Sequence, residues 1–333
     1  VIVVDADFLG RGRTGDETYV DNLLRALVPL KGELEIAAIV RDASLVPAGI
    51  TPLVLPARSQ ELRMAWSVPR LLARMRPQLA HFVHSLPLWV ASPAVVTVQD
   101  LSFEREPSVM SRKDRVVFRA VVPRAVRRAA RVLAISERTK RDLIEVYDVP
   151  PEKVVVTPLG VDPIFHPTSD GAHAYALFVG AIQPRKDPLA ALDAAGAAGL
   201  PLVAVGPEKD AALSAELRRR GADVRGYVPK EELAMLYAHA ACLILPSRYE
   251  GFGLPVVEAM ASGTPVVAAP DAALREVAGD AAVFAERDEL GDAVRRAVEQ
   301  RERWAAAGVA RARRFSWSET AQRTLDVYRE LLP

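Results

Sequence analysis

Glu250-Gly-Phe-Gly-Leu-Pro-Val-Val-Glu258-Ala-Met-Ala-Ser-Gly263 closely follows the short apolar run Cys242-Leu-Ile-Leu245. A buried run of strand length, a glycine-containing loop and then a helix form the repeating element of a parallel α/β sheet. Pro255 suits the first helical position and Gly263 the position just past the end, which predicts a helix of about two turns. Gly251 and Gly253 let a ligand approach the backbone closely, and the amides of a helix start attract anions. Glu250 belongs to the loop beyond the strand's carboxyl end. Glu258 lies one turn inside the helix, where its carboxylate can accept hydrogen bonds from a neutral diol. An anion site flanked by two carboxylates suits a diphosphate carrying a sugar at each end. The plain alternative is a capped helix with Glu250 in solvent.

Outward from this segment the same alternation continues. Tyr175–Val179, Leu202–Val205, Val224–Arg225 and Pro265–Ala268 read as further strands, with helices at Leu213–Arg220 and Glu231–Ala240. The first half repeats the pattern. Val1–Val4, Glu35–Val40, Leu79–Val83, Ala94–Val98 and Val132–Ile135 read as strands; Thr18–Leu30, Glu61–Met75 and Arg112–Ala130 read as helices. Between the halves, Val149–Pro167 is rich in proline. Two Rossmann-like α/β halves joined by a proline-rich connector are predicted. Ligands of such sheets sit beyond the carboxyl ends of the strands, so two facing sheets would place a site in the cleft between them. A second loop, Gly180-Ala-Ile-Gln-Pro-Arg185-Lys186, follows the strand Tyr175–Val179 and brings two adjacent cations to a strand end. There they could clamp a diphosphate; alone, such a pair is an ordinary surface feature.

Composition narrows the function classes. With 333 residues, half of them hydrophobic, the chain can fill about two domain cores. The 43 basic and 42 acidic residues nearly cancel, which argues against a nucleic-acid binder that relies on bulk charge. One cysteine, Cys242, excludes a disulfide framework and a cysteine-based metal site and fits a reducing compartment. The apolar runs fall short of a bilayer span, and the chain opens on VIVVDADF without a basic leader, so a cytoplasmic location is expected.

The second half resembles the family 4 retaining glycosyltransferases of the GT-B fold, marked by a Glu, seven residues and a second Glu, here Glu250 and Glu258. The likeness extends through VTVQDLSF (96–103), VLAISERTKRDL (132–143), VVVTPLGVDPIF (154–165), FVGAIQPRKDP (178–188) and GYVPKEELAMLYAHA (226–240). The chain looks most similar to bacterial enzymes that transfer mannose or related hexoses during polysaccharide assembly. The resemblance implies an acceptor-binding domain over 1–165, a nucleotide-sugar-binding domain over 166–315 and a last helix, 316–333, returning to the first domain. It implies that Glu258 holds the ribose hydroxyls and Glu250 a donor-sugar hydroxyl near the reacting carbon. The amides of Phe252, Gly253 and Leu254 would meet the phosphates or the sugar. Arg185 and Lys186, on the loop opened by Gly180, would neutralise the leaving diphosphate, with no metal and no cofactor beyond the nucleotide-sugar donor. Val228 would lie near the base, and Gly15 would back onto the donor phosphate. The acceptor would be a sugar or a lipid-linked sugar. Gln99-Asp100 stands where the family has His-Asp, so Gln99 can hydrogen-bond the sugar but cannot titrate.

Other signals compete. Gly10-Arg-Gly-Arg-Thr-Gly15 imitates a dinucleotide fingerprint, but the loop starts late and lacks its acid. Asp5-Ala-Asp7 imitates a metal-binding pair. His81 and His84 alternate along one strand and face opposite ways; His84, at the carboxyl end, could serve a site. Arg112–Arg131 carries eight basic residues against Asp114; it reads as a solvated helix or as peripheral contact with anionic lipid at the inner membrane face. Two further functions stay open: a nucleotide-sugar 2-epimerase of the same fold, and a donor-binding relative with weak activity.

Overall fold

The computed structural model describes residues 1–12, 14–56, 59–106, 112–168 and 173–332. The chain divides into two compact units. One comprises Val1–Glu104, Met110–Gly160 and Trp317–Pro333; the other comprises Arg105–Val109 and Val161–Ser316.

The first unit is built on seven parallel strands: β1 (Ile2–Asp5), β2 (Ile36–Val40), β3 (Thr51–Val54), β4 (Leu79–Val83), β5 (Ala94–Val98), β6 (Arg131–Ala134) and β7 (Val154–Val156), in the order β3-β2-β1-β4-β5-β6-β7. β1, β2, β4 and β5 are buried along their whole length, as expected for strands covered on both faces. β3 is an edge strand with mostly exposed side chains, and the edge tolerates Pro52. The order reverses between β1 and β4, which pair directly, Ile2 opposite Leu79. Such a reversal opens a crevice beyond the strand ends.

The segment read as one helix over Glu61–Met75 is broken into three: a short turn Gln60–Leu62, a π-helical turn Arg63–Ser67 and the helix Val68–Met75. Pro69 cannot donate to the preceding turn, and Arg63 is turned inward, fully buried, to pair with Asp5. The first helix runs Thr14–Leu27, four residues earlier than the apolar spacing suggested.

The last helix, Trp317–Leu331, packs against Thr14–Leu27. Trp317 is buried beside Tyr19, with ring centroids 6.5 Å apart. Tyr328 joins a polar chain through the core: its hydroxyl meets His81 Nδ1 at 2.5 Å, His81 Nε2 meets Thr97 Oγ1 at 2.7 Å, and Thr97 Oγ1 meets the Tyr19 hydroxyl at 2.8 Å. Burial pushes the His81 imidazole down to about 3, so this histidine is a neutral core residue.

The second unit has six parallel strands: β8 (Ala176–Val179), β9 (Leu202–Val205), β10 (Asp223–Gly226), β11 (Cys242–Leu245), β12 (Val266–Ala268) and β13 (Val283–Phe284), in the order β10-β9-β8-β11-β12-β13. Here the reversal lies between β8 and β11, Cys242 opposite Ala176. One core packs the helix Pro188–Ala197 and the helix Leu290–Glu299 onto the sheet through small alanines and branched strand residues. Cys242 is free and buried there.

Candidate functional site

The loops after β8 and β11 flank the reversal in the second sheet, and they carry the charges singled out in the sequence. After β8 the chain turns at Gly180 (φ +152°) and forms a short 3-10 turn, Pro184–Lys186. Asp187 follows in the left-handed region at φ +47° and caps the helix Pro188–Ala197, its carboxylate accepting from the Ala190 amide at 3.4 Å. Arg287 forms an ion pair with the same carboxylate. These contacts fix the turn, and the turn fixes where Arg185 and Lys186 point.

Both cations are buried and reach the β11 loop. Lys186 Nζ donates to Glu250 Oε1, Arg185 Nη1 donates to the Tyr249 carbonyl, and Arg185 Nη1 lies 3.7 Å from Glu250 Oε2. The Arg248 amide returns a bond to the Arg185 carbonyl at 3.0 Å. Burial pushes the Glu250 carboxyl up, but the charges of Lys186 and Arg185 and the Lys186 hydrogen bond outweigh it, leaving the pKa below the ordinary carboxylate value. Glu250 is therefore an ionised carboxylate held between two cations.

Three residues on, Gly253 begins the helix Leu254–Ala261 at φ +105°, with no side-chain cap and with Pro255 in the first turn. The backbone angle favours glycine, and a Cβ on Gly253 would lie 2.6 Å from Leu274 Cδ2, so that methyl would have to shift. Phe252 is buried edge-on against Phe315, with centroids 5.7 Å apart. The helix start thus follows Glu250 by only three residues, with the Val256 and Val257 amides turned to the Gly253 carbonyl.

Glu258, one turn inside, accepts from the Tyr237 hydroxyl at 2.9 Å. Burial pushes its carboxyl up to about 7, against the opposing pull of that hydrogen bond and of Lys230. Lys230 itself pairs with Asp162 at 2.7 Å. Val228 is buried at the end of the loop after β10, while its neighbour Tyr227 is exposed.

Two residues at this site were not singled out in the sequence. Tyr237 lies in a helix whose other inward positions are Ala234, Leu236 and Ala238, so it reads as core. Gly206 directly follows β9 at φ +141°, and a Cβ there would lie 2.1 Å from the Gly180 carbonyl oxygen. The Gly206 amide also donates to the Gly226 carbonyl at 2.7 Å. Three glycines at neighbouring strand ends, 180, 206 and 226, were the available signal.

In the first unit the reversal between β1 and β4 gathers Gly15, Asp16, His84 and Gln99. A Cβ on Gly15 would meet Gln99 Oε1 at 3.4 Å. His84 sits just past β4 at φ +61°, and its Nε2 meets Asp16 Oδ1 at 3.1 Å. Burial alone would push this imidazole down; Asp16 and Asp100 outweigh it and raise it above the ordinary histidine value. Among the described residues, Gln99 Nε2 and His84 Nδ1 are buried without a hydrogen-bond partner. Asp5 and Asp7, the metal-like pair, are instead satisfied by guanidiniums: Asp5 by Arg63, and Asp7 by Arg11 at 2.8 Å and Arg41 at 2.8 Å. Among the described residues, no group of three or more His, Cys, Asp or Glu side chains is arranged to hold a metal ion. The side chains of Arg112 and Lys113 lie outside the described residues.

Residues 164–313 match the family model described as Glycosyl transferases group 1, and residues 13–165 match that of Glycosyltransferase Family 4. The O-antigen chain mannosyltransferase B of Escherichia coli is 32% identical over 270 residues, covering 72% of this chain and 70% of that protein. A D-inositol 3-phosphate glycosyltransferase of a Nocardioides species is 36% identical over 248 residues, which is 61% of this chain and 54% of that protein. The chain thus aligns with about half of that relative's length. Among solved structures, the sucrose-phosphate synthase from Thermosynechococcus elongatus matches with a TM-score of 0.79 at 19% identity, covering 99% of this chain and 98% of that one. HepE of Anabaena, in complex with UDP-glucose, matches with a TM-score of 0.76 at 17% identity over 99% of each chain. The fold is GT-B, with two Rossmann-like units, and the two family models together span nearly all of the sequence. The chain belongs to the family 4 glycosyltransferases.

Proposed function

We propose that the chain transfers a hexose, mannose favoured, from a nucleoside diphosphate sugar to an acceptor hydroxyl, with retention and without a metal. The observation that carries this reading is the Arg185–Lys186–Glu250 cluster beside the uncapped helix start at Gly253. The two cations and the Leu254 amide at the helix start would stabilise a departing diphosphate, and fixed charge of this kind is often the largest contribution to catalysis. Glu258 would take the ribose hydroxyls, Val228 would line the base, and Phe252 and Leu254 would present backbone to the phosphates or sugar. Gln99 and Gly15 would supply the first unit's contacts to the donor. The acceptor, a sugar or lipid-linked sugar, would bind the first unit.

Retention is assigned to front-face attack, with a donor phosphate oxygen taking the acceptor proton. Glu250 is already committed to Lys186 and Arg185, an arrangement that suits holding a sugar hydroxyl better than attacking carbon. A glycosyl adduct on Glu250, trapped by mass spectrometry, would overturn this assignment. Mannose is favoured because the Escherichia coli relative is named a mannosyltransferase; HepE, bound to UDP-glucose, keeps a uridine donor in view.

A thermal-shift panel of UDP, GDP, ADP and their sugar conjugates tests the reading, with Glu258→Ala as control. At 100 times its dissociation constant a ligand adds about 2.7 kcal/mol of stability. A selective shift that the variant loses is expected. No shift by any nucleoside diphosphate would overturn the proposal. Gln99 favours a second reading, a donor-binding relative of low turnover, which measurable hydrolysis or transfer of the donor would remove.

A further inference from the structure

The first unit exposes an unusual set of side chains on three interlocked segments. Trp66 is 62% exposed and Trp89 is 47% exposed, with Leu62 and Leu88 exposed beside them in the sequence. Trp66 projects from the π-helical turn Arg63–Ser67, which the buried Arg63–Asp5 pair anchors to the end of β1. Trp89 belongs to the loop after β4. The Leu88 amide donates to the Met64 carbonyl at 3.0 Å, joining the loop to the turn. On its other side the Leu88 carbonyl accepts from Arg124 at 3.0 Å and from Arg128 at 2.9 Å, both on the helix Arg112–Arg128. The same helix exposes Val116 and Val117.

Large exposed apolar side chains on a fixed frame mark an interaction surface. Tryptophan with an apolar body and a polar edge suits a lipid–water boundary, and Arg70 already stacks over Trp66 with its guanidinium carbon 3.2 Å from the ring centroid. A guanidinium has five donors, so Arg124 and Arg128 can hold Leu88 and still present donors outward. Across 112–131 the sequence has eight basic residues and one acid; Arg119 pairs with Glu104 and Arg131 with Glu330, while Arg124, Arg127 and Arg128 are exposed as charge complementary to lipid phosphates. We infer that this face rests on an anionic bilayer, with Trp66 and Trp89 as interfacial anchors and the arginine-rich helix as the charged contact. The inference deepens the proposed function and rests on it for the lipid-linked acceptor, whereas the surface stands on its own geometry.

Co-sedimentation of the full chain with two kinds of vesicle tests it: phosphatidylcholine alone, and equal parts of phosphatidylcholine and phosphatidylglycerol. Binding to the mixed vesicles only is expected. Trp66→Ser with Trp89→Ser should abolish most of it, and Arg124→Gln with Arg128→Gln should lower partition by about five-fold per arginine. Quenching of the wild-type tryptophan fluorescence by vesicles with brominated chains is a check that needs no variant. Equal binding to both vesicles, no quenching, or light scattering showing that the tryptophans instead mediate self-association would each overturn the inference. Nucleoside diphosphate binding, measured by thermal shift on the same samples, separates the two proposals: vesicle binding lost with nucleotide binding intact rejects this surface alone. The converse result rejects the transferase reading and leaves the surface standing.

Discussion

The Tyr237 hydroxyl donates to Glu258 Oε2 at 2.9 Å, and Glu258 nevertheless keeps a pKa of about 7, because burial outweighs the bond. A carboxyl so poised can accept from both hydroxyls of a diol only after losing its proton. Nucleoside diphosphate affinity should therefore fall about tenfold for each pH unit below 7, and binding near pH 7 should release a proton. Calorimetry in buffers of different ionisation enthalpy reads that proton directly. Tyr237→Phe removes a bond that lowers the pKa, so its loss of affinity should be severalfold at neutral pH and mostly recovered at about pH 8. An affinity loss independent of pH would mean that Tyr237 only shapes the pocket.

The buried Lys186–Glu250 pair gives a separable stability effect. Lys186→Met leaves a buried carboxylate short of its nearest cation and should cost about 3 kcal/mol in urea unfolding. Adding Glu250→Gln should restore much of that stability while donor turnover stays low. Because the Glu250 pKa is lowered in the folded protein, its contribution is full above the ordinary carboxylate value and is lost as pH falls through the lowered one. The double variant should show a flatter acid limb.

Two glycines should respond oppositely to alanine. At Gly206 the new methyl would lie 2.1 Å from the Gly180 carbonyl oxygen, in a left-handed backbone, so destabilisation of at least about 2 kcal/mol is expected, with weakened donor binding. Gly196 is exposed within the helix Pro188–Ala197 and has nothing within 4 Å. Gly196→Ala should raise stability by about 0.5 kcal/mol. Thermal melts of both decide it.

His84 pairs with Asp16 in the first unit. The raised imidazole pKa means their contribution is full below the ordinary histidine value and disappears as pH rises through the folded one. Asp16→Asn should lower stability at about pH 6 and change little at about pH 9. Histidine NMR titration of the two proteins should show the His84 midpoint move down in the variant.

The charged half of the site was legible because its parts are local: a strand, a glycine loop and a proline-led helix fall within Cys242–Gly263. Pairing Lys186 with Glu250 needed only the knowledge that β8 and β11 are neighbours. What escaped was decided by tertiary packing. β3 is short, carries Pro52 and lies at an exposed edge, so it shows no apolar run. β7 hides in the proline-rich connector, and β13 has two residues. Tyr237 is indistinguishable in sequence from its core neighbours, since only the fold brings Glu258 to its hydroxyl. Trp66 was read into a continuous helix, although Pro69 and the buried Arg63 turn its segment outward.

The helix Trp317–Leu331 supplies Tyr328 to His81 and Glu330 to Arg131, so the first unit contains both early and late parts of the chain. During synthesis that unit stays unfinished while the whole second unit emerges. The order of folding then runs against the order of the sequence: the second unit can close first, and the amino-terminal sheet completes its core only after the ribosome has passed Tyr328.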